Sequence, residues 1–150
     1  MELIQIDGAG KLFVSPEIDD WGPIHDNRIH AIIDLDGDID MDVPTAPNHV
    51  LYIYFPIYDE DLPDLIKLHS VAKMAAELIR LNRPVLAHCR MGLNRSPLVA
   101  GVTLTYLGFS GPDALKILQE RRPGALYNEQ FAEYLASLPS NPNHPLDKSD

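Results

Sequence analysis

The sequence has a single cysteine, Cys89, so no disulfide can close within the chain. No apolar run is long enough to span a bilayer. The stretch Met1 to Gly10 lacks the basic start, apolar core and small-residue cleavage site of a secretory signal. A lone thiol without such a signal points to a reducing compartment, so a cytoplasmic protein with no membrane partner is expected. Basic residues are scarce: 12 Lys and Arg stand against 22 Asp and Glu, a net charge of −10. That balance disfavours broad attraction to nucleic acid, whose affinity leans on phosphate neutralisation. The six histidines (His25, His30, His49, His69, His88, His144) show no metal-site spacing, and no second cysteine can assist them. Neither a metal nor another cofactor is expected.

What is present suits one ordinary globular domain: 150 residues, 45% of them hydrophobic, with no internal repeat or linker. Leu3 to Ile6 and Leu12 to Val14 are β-prone runs around the turn Asp7-Gly8-Ala9-Gly10, an expected hairpin. Ser15-Pro16 offers a cap and a first-turn proline for a short helix to about Arg28. Ala31 to Leu35 and Val50 to Phe55 read as strands across an aspartate-rich loop. Leu62 to Leu81 is the longest helix, with Leu65, Leu68, Ala72, Ala75, Leu78 and Ile79 at helical spacing. Asp61 and Asp64 look like its N-terminal capping pair, with Pro63 in the first turn. Pro84 to His88 is a further strand, followed by helices over Ser96 to Leu107, Pro112 to Gln119 and Asn128 to Leu138. Residues 1–138 make the domain, and Pro139 to Asp150 reads as a disordered tail.

Strands alternating with helices imply an α/β fold: a central, mostly parallel twisted sheet of four to five strands with helices on both faces. Ligands in such sheets bind beyond the carboxyl ends of strands. At the end of the Pro84–His88 strand stands His88-Cys89-Arg90-Met91-Gly92-Leu93-Asn94-Arg95-Ser96. A loop of this length can curl around one phosphate, with backbone N–H groups inward and a helix N-terminus behind them. Gly92 fits where a side chain would obstruct the turn. Arg95 presents a planar fork to two phosphate oxygens. Those same positive features favour an ionised, accessible sulfur at Cys89, able to attack phosphorus and form a phosphocysteine. Ser96 can donate a hydrogen bond to the sulfur as it leaves, and His88 orients the loop without acting as a base. Arg90, Met91, Gly92, Leu93, Asn94 and Arg95 are the expected substrate-binding residues.

His88-Cys89-x-x-Gly92-x-x-Arg95-Ser96 resembles the signature of the cysteine-based protein tyrosine phosphatase superfamily, and the chain is similar to its small, atypical dual-specificity members. The likeness runs from about Leu12 to Leu138 and includes Arg121-Arg122-Pro123, Asn128 and Phe131, which resemble the family's closing helices. It implies a tyrosine phosphatase-like fold, with Asn128 in a supporting role. It also implies a general acid upstream of the cysteine, just after a strand and an Ile-Pro-like segment. Phe55-Pro56-Ile57-Tyr58-Asp59 fills that place. Glu60, Asp61 and Asp64 compete; the helix start already accounts for Asp61 and Asp64, and Asp59 is the choice, with Glu60 and Asp61 as the alternatives.

By resemblance the substrate is a phosphorylated protein, with both phosphotyrosine and phosphoserine or phosphothreonine accepted, or a small phosphomonoester acted on by a monomer. An RNA 5′-triphosphate, a phosphoinositide or a sugar phosphate stay as alternatives, as does phospho-binding without turnover. Met91 and Asn94 depart from common loop sequences, and Gly92-Leu93-Asn94-Arg95 resembles RNA 5′-triphosphatase loops.

Overall fold

The computed structural model describes residues 1–142. β1 (Ile4–Gln5) and β2 (Leu12–Ser15) form the expected hairpin, its turn tied by the Asp7 carboxylate, which accepts from the N–H groups of Lys11 and Leu12. α1 (Gly22–Asp26) leads to β3 (Ala31–Asp34), β4 (Leu51–Tyr54), α2 (Leu65–Arg80) and β5 (Val85–His88). Three helices follow: α3 (Arg95–Tyr106), α4 (Gly111–Arg121) and α5 (Glu129–Ala136). The five strands lie in the order β1-β2-β5-β3-β4, and only the β1–β2 pair is antiparallel.

Side chains alternate across the sheet, as the pleat requires. Leu12, Val14, Ala31, Ile33, Val85 and Ala87 face the larger core, which Leu68, Leu98, Leu118 and Phe131 complete from α2 to α5. Phe13, Ile32 and Leu86 point the other way and pack on Ile18, Ile24 and Ile29 around α1. With both faces covered, β2, β3 and β5 are buried at every position, the pattern of an internal parallel strand. α3 is buried along nearly its whole length, as a helix that is apolar all round must be. Gly101 lets α5 approach it, since a Cβ there would meet Leu135 Cδ2 at 2.4 Å.

Two expectations need correction. Ser15-Pro16 does not start a helix: Ser15 ends β2 in register with His88, and its hydroxyl donates to the Pro16 carbonyl. Pairing between distant strands outweighs the local capping preference, and α1 begins only at Gly22. α2 starts at Leu65 rather than Leu62, because Asp64 is its cap and accepts from Lys67 N–H at 3.1 Å. Asp61 is engaged elsewhere, by Gln130 Nε2. Pro139–Pro142, assigned to a disordered tail, carry hydrogen bonds from Asn141 N–H to Thr105 O and from Ser140 Oγ to Gly108 O. The rest of that assignment, 143–150, lies outside the described residues.

The topology brings three strand ends together. Ser15 of β2 and Asp34 of β3 both stand opposite His88 of β5. The loop after His88 therefore emerges at the carboxyl edge of the parallel strands, where such sheets place their ligands.

Candidate active site

Cys89 to Asn94 form the loop between β5 and α3, with Asn94 at the N-cap position. Its carbonyls are held from outside. Arg90 O accepts from Glu17 N–H, and Leu93 O from Leu126 N–H at 2.7 Å. Arg122 donates to Met91 O at 3.0 Å and Gly92 O at 3.4 Å, while Asn94 O accepts from Leu98 N–H. Among the described residues, no protein acceptor takes the backbone N–H groups of residues 90–94. With four carbonyls held from outside and the fifth in the first turn of α3, these N–H groups are left without a protein acceptor, as in a backbone concavity that can take an anion. Gly92 makes this possible twice over. Its φ is +71°, and a Cβ would lie 2.9 Å from Pro16 N and Ser15 C.

Cys89 Sγ lies 3.3 Å from Ser96 Oγ. The sulfur is not accessible as expected: Cys89 is only 2% exposed, because β5 is internal to the sheet and α3 covers its end. Arg95 reaches across the strand ends. One terminal nitrogen donates to Leu35 O at 3.4 Å and Ile57 O at 3.3 Å, and stands 3.7 Å from Asp36 Oδ1. Its Nε is buried with no protein partner. A buried, unpaired donor is uncommon in a folded protein and calls for an acceptor.

His88 is anchored from behind. Its Nε2 donates to Asp40 Oδ2 at 2.6 Å and stands 3.6 Å from Asp34 Oδ1. The Tyr52 hydroxyl lies between the two aspartates, donating to Asp34 Oδ2, while it accepts from Asp40 N–H at 2.8 Å. Burial raises the Asp34 carboxyl above its usual range, offset in part by the hydrogen bonds from Tyr52 and Asp36 N–H. Burial and the Asp34 carboxylate likewise raise Tyr52. Histidine spacing suggests no metal cluster, yet Asp34, Asp40 and His88 bring ligand-type atoms within 4.8 Å of one another. Hydrogen bonds already join the three, and we read the cluster as the support of His88.

Asp59 is exposed at the tip of the segment after β4, yet both of its oxygens are held. Asn94 Nδ2 donates to Oδ2 at 2.9 Å and Asn128 Nδ2 to Oδ1 at 3.0 Å. Among the described residues the hydrogen bonds of Glu60 and Asp61 go to α5 and its cap: Asn128 takes the Glu60 carbonyl, and Gln130 takes the Asp61 carboxylate.

The other expected binding residues divide. Gly92, Leu93 and Asn94 build the loop, whereas the side chains of Arg90 and Met91 are exposed. Arg90 lines a neighbouring cleft of about 470 Å³ with Glu17, Asp19, Asp36, Asp38 and Asp42. The sequence reading missed the roles of Asp34, Asp36, Asp40 and Tyr52. It noted Arg122 only as part of a closing segment, and the loop contact could have been found there.

Residues 17–140 match the family described as dual specificity phosphatase, catalytic domain, and the chain belongs to that family. No curated protein matches it in sequence. Among solved structures, Tk-PTP in the active form is 26% identical, with 89% of this chain and 92% of that chain covered at a TM-score of 0.73. The Yvh1 phosphatase domain from Chaetomium thermophilum is 26% identical, with 90% and 94% covered at 0.70. Human DUSP28 is 20% identical, with 89% of each chain covered at 0.73, a likeness in fold alone. Among the described residues, no helix is long and apolar enough to cross a membrane.

Proposed function

We propose that the chain hydrolyses phosphomonoesters through a phosphocysteine. Cys89 attacks phosphorus, a P–S bond forms as the P–O bond breaks, and Asp59 gives its proton to the departing oxygen. Water then attacks the phosphocysteine, Asp59 takes a proton from it, and the sulfur leaves as a thiolate that Ser96 Oγ stabilises. Arg95 and the N–H groups of residues 90–94 hold the phosphoryl oxygens throughout. The observation that carries this reading is the loop itself, four of whose carbonyls are held from outside beside a buried Cys89–Ser96 pair and an unpaired Arg95 Nε.

The family supports phosphorylated proteins as substrates, and phosphotyrosine with phosphoserine or phosphothreonine is the proposed range. The acidic cleft next to Arg90 disfavours substrates with several phosphates, such as an RNA 5′-triphosphate or a phosphoinositide. The nucleophile has to stay reduced, which suits a cytoplasmic setting. The test is hydrolysis of p-nitrophenyl phosphate without added metal, with vanadate as inhibitor. Turnover that Cys89→Ser abolishes supports the reading. Turnover that survives that substitution, or that requires a divalent ion, overturns it.

A further inference from the structure

Asn94 and Asn128 touch the same carboxylate from two elements far apart in the chain. An asparagine amide can face a carboxylate with either end, and only the Nδ2 end attracts it. Here the other end of each amide is fixed by a backbone donor. Asn94 Oδ1 accepts from Asn128 N–H at 3.0 Å, and Asn128 Oδ1 accepts from Phe131 N–H at 3.3 Å as the cap of α5. Turning either amide over would set oxygen against oxygen and strand a backbone N–H. Asn94 is 2% exposed, with little room to swing away.

Between Ile57 and Leu62, which pack against the larger core, the segment has little else to fix it. Tyr58 is 83% exposed, and Asp59, Glu60 and Asp61 are exposed as well. Surface connections of this kind are mobile unless tied down. The hydrogen-bond ties are Ile57 N–H on Leu35 O, Arg95 on Ile57 O, the two amides on Asp59, Asn128 on Glu60 O and Gln130 on Asp61. Three of these six come from Asn94 and Asn128. Each Asp59 oxygen spends one lone pair on an amide and keeps another for the proton it transfers.

We infer that Asn94 and Asn128 are positioning residues that clamp Asp59 over the Cys89 loop, so that the acid is in place before substrate arrives. The inference rests on the reading of Asp59 as general acid. It also gives Asn94 a different role from the substrate contact suggested by its place in the loop. Serine or glycine at position 94 would carry no amide, and aspartate would set a second anion against Asp59.

The experiment compares aryl phosphates whose leaving groups range from activated to unactivated, since only the latter need protonation. Four proteins are compared: wild type, Asp59→Asn, Asn94→Ala and Asn128→Ser. Serine caps a helix as asparagine does, so Asn128→Ser keeps the α5 cap and removes only the amide donors. Melting temperatures are measured alongside. General acids typically contribute a hundredfold or more, so Asp59→Asn should raise the activated-to-unactivated ratio of kcat/KM, which reads the step that expels the leaving group, by about that factor. Asn94→Ala and Asn128→Ser should each raise the same ratio by roughly tenfold, an intermediate effect on that scale. A loss merely of folded protein lowers all esters alike and leaves the ratio unmoved. If Asp59→Asn shifts the ratio while both asparagine variants keep the wild-type value, the clamp is overturned and the acid assignment stands. If Asp59→Asn itself leaves the ratio unchanged, the acid assignment falls and the clamp with it.

Discussion

Ser96 Oγ lies 3.3 Å from Cys89 Sγ, and both residues are buried where α3 begins. A hydroxyl so placed meets the sulfur at every stage, but it matters most when negative charge returns there. Ser96→Ala should therefore slow hydrolysis of the phosphocysteine more than its formation. A hydrogen bond to a charged group is worth about 1.5–3 kcal/mol, on the order of a ten- to hundredfold fall in kcat. The value of kcat/KM should fall much less, and a burst of released alcohol should appear in stopped-flow traces. Equal falls in both constants, with no burst, would assign the hydroxyl to the first step instead.

Arg122 offers a test of the cup that leaves the reacting atoms untouched. Its guanidinium holds Met91 O and Gly92 O from outside, and its side chain is partly exposed. Released carbonyls would be free to turn inward and face the anion. Arg122→Ala should weaken vanadate inhibition by about tenfold, the scale of one charge-assisted hydrogen bond, with the fold retained. Lysine lacks the planar fork, so Arg122→Lys should restore only part of the affinity. Calorimetric titration with vanadate reads both, and wild-type affinity in the alanine variant would show that the loop keeps its curve unaided.

The loop to which the chemistry is assigned under the proposed function was legible in the sequence because it is local. Cys89, Gly92, Arg95 and Ser96 lie within one loop and the first turn of a helix, so spacing alone brings them together. The Asp59 segment was legible as a position after a strand, but not the amides that hold it, one of which arrives from the cap of α5. His88 shows the same limit. Its partners Asp34, Asp40 and Tyr52 come from β3, the following loop and β4, and only the parallel register makes them neighbours. Ser15 misled for the opposite reason. Its local cap chemistry was sound, but pairing with β5 had a stronger hold on it. Between Asp61 and Asp64 the sequence held no preference, and Gln130 on a distant helix takes Asp61.

The buried carboxyl behind His88 makes a prediction about stability. Burial raises Asp34 above its unfolded value, so the folded protein holds this proton more tightly than the unfolded chain does. The linked stability is fully present below about pH 3.9 and is lost as pH rises through the folded value. Asp34→Asn keeps an acceptor for Asp36 N–H and removes the titration, and Tyr52 can still donate to Asp40. The melting temperature of the variant relative to wild type should therefore climb between pH 4 and pH 7. A constant difference across that range would mean that Asp34 does not titrate with folding.

His69 gives the opposite slope. Its ring stands between the hydroxyls of Tyr106 and Tyr134 at 2.6 Å and 2.5 Å, joining α2 to α3 and α5. Burial, with a smaller effect from Lys73, lowers its pKa below the ordinary histidine value. Stability from this group is complete above about pH 6.5 and is lost as pH falls through the folded value. Protonation also denies the ring its acceptor nitrogen, so one tyrosine must reorient. His69→Gln should flatten the fall in melting temperature between pH 7.5 and pH 5. A fall as steep as in wild type would place the acid sensitivity elsewhere.

Under the proposed function, the cleft beside Arg90 makes a prediction about which phosphorylated segments are preferred. Glu17, Asp19, Asp36, Asp38 and Asp42 surround it, and among its lining residues Arg90 is the only cation. A peptide whose phosphoresidue is flanked by lysine or arginine meets this wall favourably, and one flanked by glutamate or aspartate is repelled. Exposed charges are screened over about 8 Å at physiological ionic strength and about 3 Å at 1 M, so the preference should fade with salt. For matched phosphopeptides, kcat/KM should favour the basic sequence several-fold at low salt and converge near 1 M, since steering acts on encounter. Asp38→Asn and Glu17→Gln should narrow the low-salt gap, because each removes one charge from the wall and keeps its shape. Indifference to peptide charge at low ionic strength would leave the acidic wall without a part in substrate choice, whatever its effect on solubility.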